Sequence, residues 1–133
     1  MHADETKWLP DDKRSLFVKT KFQPIYKTRD LPSSIREVLG LTDNPDSMAN
    51  PGEDWGAGCV GGSRLPHQRL ILAAVTNELC IVYFERGGIA RFVVLQLYEL
   101  SGAKAKLVHQ VMTATQYDSV DEIQAALKAE EIK

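Results

Sequence analysis

The stretch that decides the fold begins Arg69-Leu-Ile-Leu-Ala-Ala-Val-Thr76 and continues, after Asn77-Glu78, as Leu79-Cys-Ile-Val-Tyr-Phe-Glu-Arg86. Both runs are rich in β-branched and aromatic residues, which is typical of β-strands, and a short polar turn separates them. A third apolar run follows Gly87-Gly88, where glycine can adopt the positive φ that a two-residue hairpin turn needs. A fourth follows Ser101-Gly-Ala-Lys104. Residues 69–115 therefore predict a four-stranded antiparallel meander.

The two later hairpins also predict a register. A loop formed by the two glycines places Tyr83 opposite Phe92, so apolar side chains meet across the pair. The last turn places Glu99 opposite Lys106, which gives a cross-strand pair of opposite charge.

Alternation along the strands gives two faces, and both are apolar. One predicted face carries Leu70, Leu72, Ile81, Tyr83, Phe92, Val94, Tyr98, Leu107 and Val111; the other carries Ile71, Val75, Val82, Phe84, Val93, Leu95, Leu97, Val108 and Met112. A sheet with one solvated face would alternate apolar and polar residues. We therefore expect the sheet to be covered on both sides, by its own helices and N-terminal segment or by another subunit.

The region before the meander predicts four features. Residues 1–14 are polar and read as an N-terminal arm, and residues 15–22 have the β character and the lysines of an exposed edge strand. Residues 31–39 carry an apolar stripe between an early proline and Gly40, which predicts a short helix. Residues 41–68 form a long loop rich in glycine and proline, a type of segment that often carries function.

The C-terminal region, residues 119–131, predicts a second helix. Ser119 and Glu122 have the spacing of a capping box, and the apolar residues that follow fall on one side. The whole chain, residues 1–133, is then a single α+β domain with both helices packed on the sheet.

Composition excludes some classes of protein. The net charge is −2, 26% of residues are charged and the pI is near 5.9, so there is no basic excess to bind a nucleic-acid backbone. No apolar run approaches the roughly 20 residues that a membrane-spanning helix needs. We expect a soluble protein, either cytoplasmic or, if a signal peptide has been removed, periplasmic or secreted.

Cys59 lies in the segment Gly56-Ala-Gly-Cys-Val-Gly-Gly62, and His67 follows eight residues later. Glycines would let a substrate approach and would expose N–H donors for an oxyanion, so Cys59 as nucleophile and His67 as base is one hypothesis. A structural loop cysteine is the alternative. A disulfide between Cys59 and Cys80 also stays open.

Glu85 and Arg86 form the other notable cluster. The predicted pairing brings Arg69 or Arg91 beside them, near the sheet end where the long loop returns through Arg64. Charged residues at a sheet end can line a ligand pocket together with a stacking residue such as Trp55; they also solvate strand ends, and Trp55 could instead anchor the loop. Trp55, Arg64, Glu85 and Arg86 are the candidate ligand-binding residues.

No metal or cofactor is expected. The histidines and cysteines show no spacing typical of a zinc site, and the glycine segment lacks the Lys-Ser/Thr ending of a phosphate-binding loop. The predicted register places His109 opposite Gln96, where a hydrogen bond would account for it.

Three hypotheses on function follow, because no motif is specific enough to name a family. The first is a non-catalytic binding or protein-interaction module, with a homodimer formed through the part of the sheet that its own helices leave bare. The second is a cysteine-dependent hydrolase or transferase that uses Cys59 and His67. The third is a small-ligand-binding protein with a pocket between residues 50–66 and the sheet end.

Overall fold

A computed structural model describes residues 9–56, 65–87 and 90–129 of the chain. These residues form an α+β fold in which a five-stranded antiparallel sheet has the order β1-β2-β3-β4-β5. The elements, in chain order, are α1 (Asp11–Lys19), β1 (Gln23–Ile25), α2 (Ser33–Val38), β2 (Gln68–Val75), β3 (Leu79–Arg86), β4 (Phe92–Ser101), β5 (Lys104–Thr113) and α3 (Val120–Lys128). The α+β class, the meander and its two flanking helices are confirmed. No helix of the described residues combines the length and the apolar character needed to cross a membrane.

Helices pack on both faces of the sheet, as its doubly apolar pattern predicted. On one face, α1 and α3 enclose a cluster that contains Phe17, Leu72, Ile81, Tyr83, Leu95, Leu97, Ile123 and Leu127. On the other, α2 and its flanking segments enclose a cluster that contains Ile25, Leu31, Ile35, Met48, Leu70, Val82, Phe84, Val94 and Tyr98. We call these the α1/α3 face and the α2 face. β3 lies at the centre, and seven of its eight residues are buried.

Residues 15–22 do not form the predicted edge strand. They lie largely in helix α1, which has Asp11 and Asp12 in its first turn, Lys19 in its last turn, and Thr20 in extended backbone where it ends. Acidic residues at the N-terminus and basic ones at the C-terminus stabilise a helix through its dipole. The buried residue of this helix is Phe17. The edge strand is instead β1, only three residues long, which pairs with β2.

The predicted register of the β3–β4 hairpin was wrong by three positions. Arg86 pairs with Phe92, and Tyr83 pairs with Leu95 rather than with Phe92. An odd shift exchanges the faces, so the predicted face sets for β4 are exchanged relative to β3. Because both faces are apolar, either register buries apolar side chains, and the alternation alone does not distinguish them.

The β4–β5 hairpin begins in the predicted register and then departs from it. Glu99 pairs with Lys106 as expected, but Val108 forms a bulge, so His109 pairs with Leu97 and Gln110 pairs with Gln96. The predicted pairing of His109 with Gln96 is therefore wrong by one residue. A bulge adds one unpaired residue to a strand, and nothing in the local composition signals it.

Helix α3 closes the α1/α3 face and is joined to α1 by one side chain. The Ser119 hydroxyl caps α3 by accepting a hydrogen bond from the Glu122 N–H at 3.1 Å, which confirms the predicted cap. The Gln124 side-chain amide donates to the carbonyl oxygens of Phe17 at 2.9 Å and Thr20 at 2.8 Å. These are carbonyls at the end of α1 that have no partner within the helix.

Candidate functional site

Glu85 is the centre of a buried charge cluster at one end of the sheet. Its side chain is 4% exposed, and it lies between two arginines. Arg69 Nε donates to Oε2 at 2.8 Å, whereas Arg91 Nε and Nη2 donate to Oε1 at 2.9 and 2.6 Å. The sequence predicted that Arg69 or Arg91 would join Glu85, and the structure places both there. Each carboxylate oxygen is occupied by an arginine, which suits a structural clamp between β2, β3 and the start of β4.

Trp55 and Arg69 connect this cluster to the long loop. The Arg69 guanidinium lies 5.2 Å from the centre of the Trp55 ring and donates through Nη1 to the Glu53 carbonyl at 3.1 Å. A cation over an indole face is attractive, and here it fixes the loop to the sheet. The anchoring role of Trp55 is therefore visible in the contacts, while its role in ligand binding stays a prediction.

Arg86 makes no ion pair with Glu85 among the described residues. Arg86 lies on the α2 face, with its guanidinium 5.4 Å from the Phe84 ring centre. Arg64 lies outside the described residues. A ligand-binding role for either arginine stays a prediction.

His67 is exposed at the same end of the sheet. Its Nδ1 lies 3.3 Å from the Gly56 carbonyl oxygen, and its own carbonyl accepts the Gly87 N–H at 2.8 Å. Cys59 lies outside the described residues, so the nucleophile and base pair stays a prediction. Cys80 is a free thiol with none of its surface exposed, and burial raises its pKa to about 12.

Cavities of about 290 to 650 Å³ lie among the described residues, whereas the pocket predicted at residues 50–66 falls largely outside them. The 650 Å³ cavity is at the opposite end of the sheet from Glu85, between α1 and the β2–β3 and β4–β5 turns. Its lining includes Leu16, Glu78 and Glu99. The Glu99 carboxylate there is paired with Lys13. The described residues hold no group of three or more histidine, cysteine, aspartate or glutamate side chains arranged to bind a metal ion.

β5 is the most exposed of the four long strands. Phe92, Leu107 and Met112 are 43%, 45% and 55% exposed. Their pairing partners are Arg86, Tyr98 and Val94, so the three side chains lie on the α2 face beyond the cover of α2. The sheet order leaves one side of β5 without a neighbouring strand among the described residues. We call this outer edge, together with Phe92, Leu107, Gln110 and Met112, the β5 surface.

A hydrogen-bond chain runs from the core to the β5 surface. The Tyr98 hydroxyl, 1% exposed, donates to Gln96 Oε1 at 2.7 Å, and Gln96 Nε2 donates to Gln110 Oε1 at 2.6 Å. Burial raises the pKa of Tyr98 to about 12, which keeps the hydroxyl protonated as the donor. The chain fixes the exposed Gln110 amide in one orientation, with its carbonyl toward the core.

Strand β5 carries no formal charge along most of its length. Residues 107–117 contain no lysine, arginine, aspartate or glutamate, and burial lowers the pKa of His109 below its ordinary value. Lys104 and Lys106 stand at the turn end alone. Edge strands that avoid pairing usually carry charges along their length. The uncharged run is visible in the sequence. The surface that it forms was not predicted, because the predicted strand register was wrong.

Comparison of the chain with protein-family models, with curated proteins and with solved structures finds no significant match. Any function must therefore be argued from the geometry described above.

Proposed function

We propose that the protein is a non-catalytic interaction module and that a second copy of the chain binds to its β5 surface. The observation that carries this proposal is the exposure of Phe92, Leu107 and Met112 beside a strand edge ten residues long. Scattered apolar side chains are ordinary on a protein surface, but three on one face of the sheet beside an open edge favour association.

The backbone of β5 supports pairing. A strand at the edge of a sheet presents a row of N–H and C=O groups that another strand can pair with. The opposite edge is blunted, because β1 has three residues and one of them is Pro24. The two edges of the sheet thus differ, and β5 is the one that can accept a long strand.

A second copy suits this edge better than an unrelated segment does, because of its charge distribution. Antiparallel pairing of two copies brings the uncharged residues 107–113 together, while Lys104 and Lys106 of each copy lie toward opposite ends. No like charges then stand opposite each other at the centre. A symmetric contact of this kind closes on itself and yields a dimer.

The test is the mass in solution, read by light scattering over a range of protein concentrations. We expect the wild-type chain to approach twice 14.8 kDa at high concentration. Met112→Lys and Leu107→Lys should return it to the monomer mass, because each places a charge in the apolar contact. Both side chains are half exposed, so circular dichroism should show an unchanged fold.

Leu16→Lys is the matched control. Leu16 is 49% exposed, close to the value for Leu107, but it lies at the far end of α1 beside the turn cavity. The Leu16→Lys variant should keep the dimer mass of the wild type. A wild-type chain that stays monomeric at the highest soluble concentration would overturn the proposal.

A further inference from the structure

We propose that the two copies pair β5 against β5 with the Gln110 side chains facing each other across the two-fold axis. This inference rests on the proposed function, and it names the register of the contact and the residue that fixes it. The Tyr98–Gln96–Gln110 chain would then continue from the core of one copy into the core of the other.

Symmetry limits the registers to a few. Two antiparallel edges related by a two-fold axis perpendicular to the sheet keep each face on its own side, so one residue must lie opposite its own copy. The bulge at Val108 leaves residues 109–113 as the regular part of the outer edge. The residues near its centre that can lie on the axis are His109, Gln110 and Val111.

Hydrogen bonding favours Gln110. Its carbonyl accepts from Gln96, while its two amide N–H donors have no partner among the described residues. Water serves those donors on a free surface, but burying them unpaired would cost about 1–3 kcal/mol each. With Gln110 on the axis, each amide can donate to the second lone pair of the other carbonyl. With Val111 or His109 on the axis, Gln110 would face Met112 or Leu107 of the second copy, which offer no hydrogen-bond acceptor of comparable strength.

The position of Lys106 also favours Gln110 over His109 as the residue on the axis. With Gln110 on the axis and Val108 unpaired, Lys106 stands opposite Thr113 of the second copy, the last residue of β5. With His109 on the axis, Lys106 would face Val111 of the second copy, within the contact. A buried lysine carries a desolvation cost that the Gln110 axis avoids.

Disulfide trapping distinguishes the three registers. His109→Cys and Val111→Cys are made separately on a Cys59→Ser background, where the buried Cys80 does not react. With Gln110 on the axis, residue 109 of one copy faces residue 111 of the other, within reach of a disulfide. Mixing the two variants under mild oxidation should therefore give the mixed dimer, identified by its mass, in clear excess over either homodimer.

The opposite results identify the other registers. Excess homodimer of Val111→Cys would place Val111 on the axis, and excess homodimer of His109→Cys would place His109 there. Either result, on protein that light scattering shows to be dimeric, overturns this inference and leaves the proposed function standing. A monomeric wild-type chain overturns both.

Gln110→Leu tests the role of the amide itself. A single polar residue in an apolar contact can fix register at some cost in stability. We expect the variant to remain dimeric by mass but to lose its preference, so that mixed and homodimeric disulfides form in comparable amounts. If the Gln110→Leu variant kept the excess of mixed dimer over homodimers, the amide would not set the register.

Discussion

The Cys80 thiol is fully buried in the cluster on the α2 face, and its ionisation should set an alkaline limit to stability. Burial raises its pKa from 9.0 to about 12 in the folded chain. The folded pKa is the higher one, so the stability is fully present below about pH 9 and is lost as the pH rises toward 12. We expect the urea concentration at the unfolding midpoint to be lower at pH 10 than at pH 8.

Cys80→Ala serves as the control for this pH dependence. It should be less stable than the wild type at pH 8, because it leaves a small cavity, but its midpoint should fall less between the two pH values. Tyr98 contributes in the same direction, since its pKa is also raised to about 12. If the alanine variant and the wild type lost stability equally, Cys80 would not be the titrating group.

Glu85 should be the most sensitive charged residue of the sheet. Glu85→Gln keeps the shape of the side chain but removes the charge that both Arg69 and Arg91 contact. Hydrogen bonds to charged groups contribute about 1.5–3 kcal/mol, and the two arginines, partly exposed, can recover some of this in water. We expect a loss of about 1–3 kcal/mol in the free energy of unfolding, measured by urea denaturation.

Glu78→Gln is the matched substitution for that measurement. Glu78 is exposed in the β2–β3 turn, and its carboxylate makes no ion pair with the described residues. Its change in unfolding free energy should stay within about 0.5 kcal/mol. Equal effects at the two positions would mean that the Glu85 clamp contributes nothing measurable.

At the scale of the element, helix α1 makes a prediction that an edge strand would not. In the helix, Phe17 is fully buried while Leu16 is half exposed. Phe17→Ala should therefore cost about 3–5 kcal/mol of unfolding free energy, and Leu16→Ala less than about 0.5 kcal/mol. In a strand, alternation would place Leu16 on the opposite face from Phe17, and packing of the Leu16 face on the core would reverse the order of the two effects. Urea denaturation of both variants decides between them.

The helix and the strands show what the sequence could and could not predict. Strand composition and the Ser119 cap are local signals, and they placed the meander and α3 correctly. Residues 15–22 carry a weaker local signal, and there the burial of Phe17 against α3 decides the helix. Register is a property of two strands together, and a doubly apolar sheet does not specify it through alternation.

Some features of the candidate sites were likewise predictable from the sequence, and others were not. The approach of Arg69 and Arg91 to Glu85 was predictable, because strands β2 and β3 are joined by a short turn and Arg91 follows closely in the chain. The exposure of Gln110 and Met112 was not, because it depends on the bulge at Val108 and on how far α2 extends over the sheet. A partner surface is fixed by what the rest of the fold leaves uncovered.

At the scale of the whole molecule, the two sheet faces receive unequal cover. Helices α1 and α3 contact each other across the α1/α3 face through Gln124, whereas the helix on the α2 face has only six residues. Helix α2 contacts β5 but leaves Phe92 and Met112 exposed. Among the described residues, the large apolar side chains of the strands that stay exposed lie along this free edge.

This asymmetry makes thermal stability depend on protein concentration. A second copy that binds the folded chain and not the unfolded one stabilises it by mass action. We expect the unfolding midpoint of the wild type to rise as concentration increases over a hundredfold range, measured by differential scanning fluorimetry. Met112→Lys should remove the dependence and leave a constant midpoint near that of the wild type at low concentration, since its side chain is half exposed in the single copy. Leu16→Lys should keep the wild-type slope. A midpoint independent of concentration, on protein that light scattering shows to pass from monomer to dimer over the same range, would mean that association does not protect the fold, and would place the contact outside the folded β5 surface.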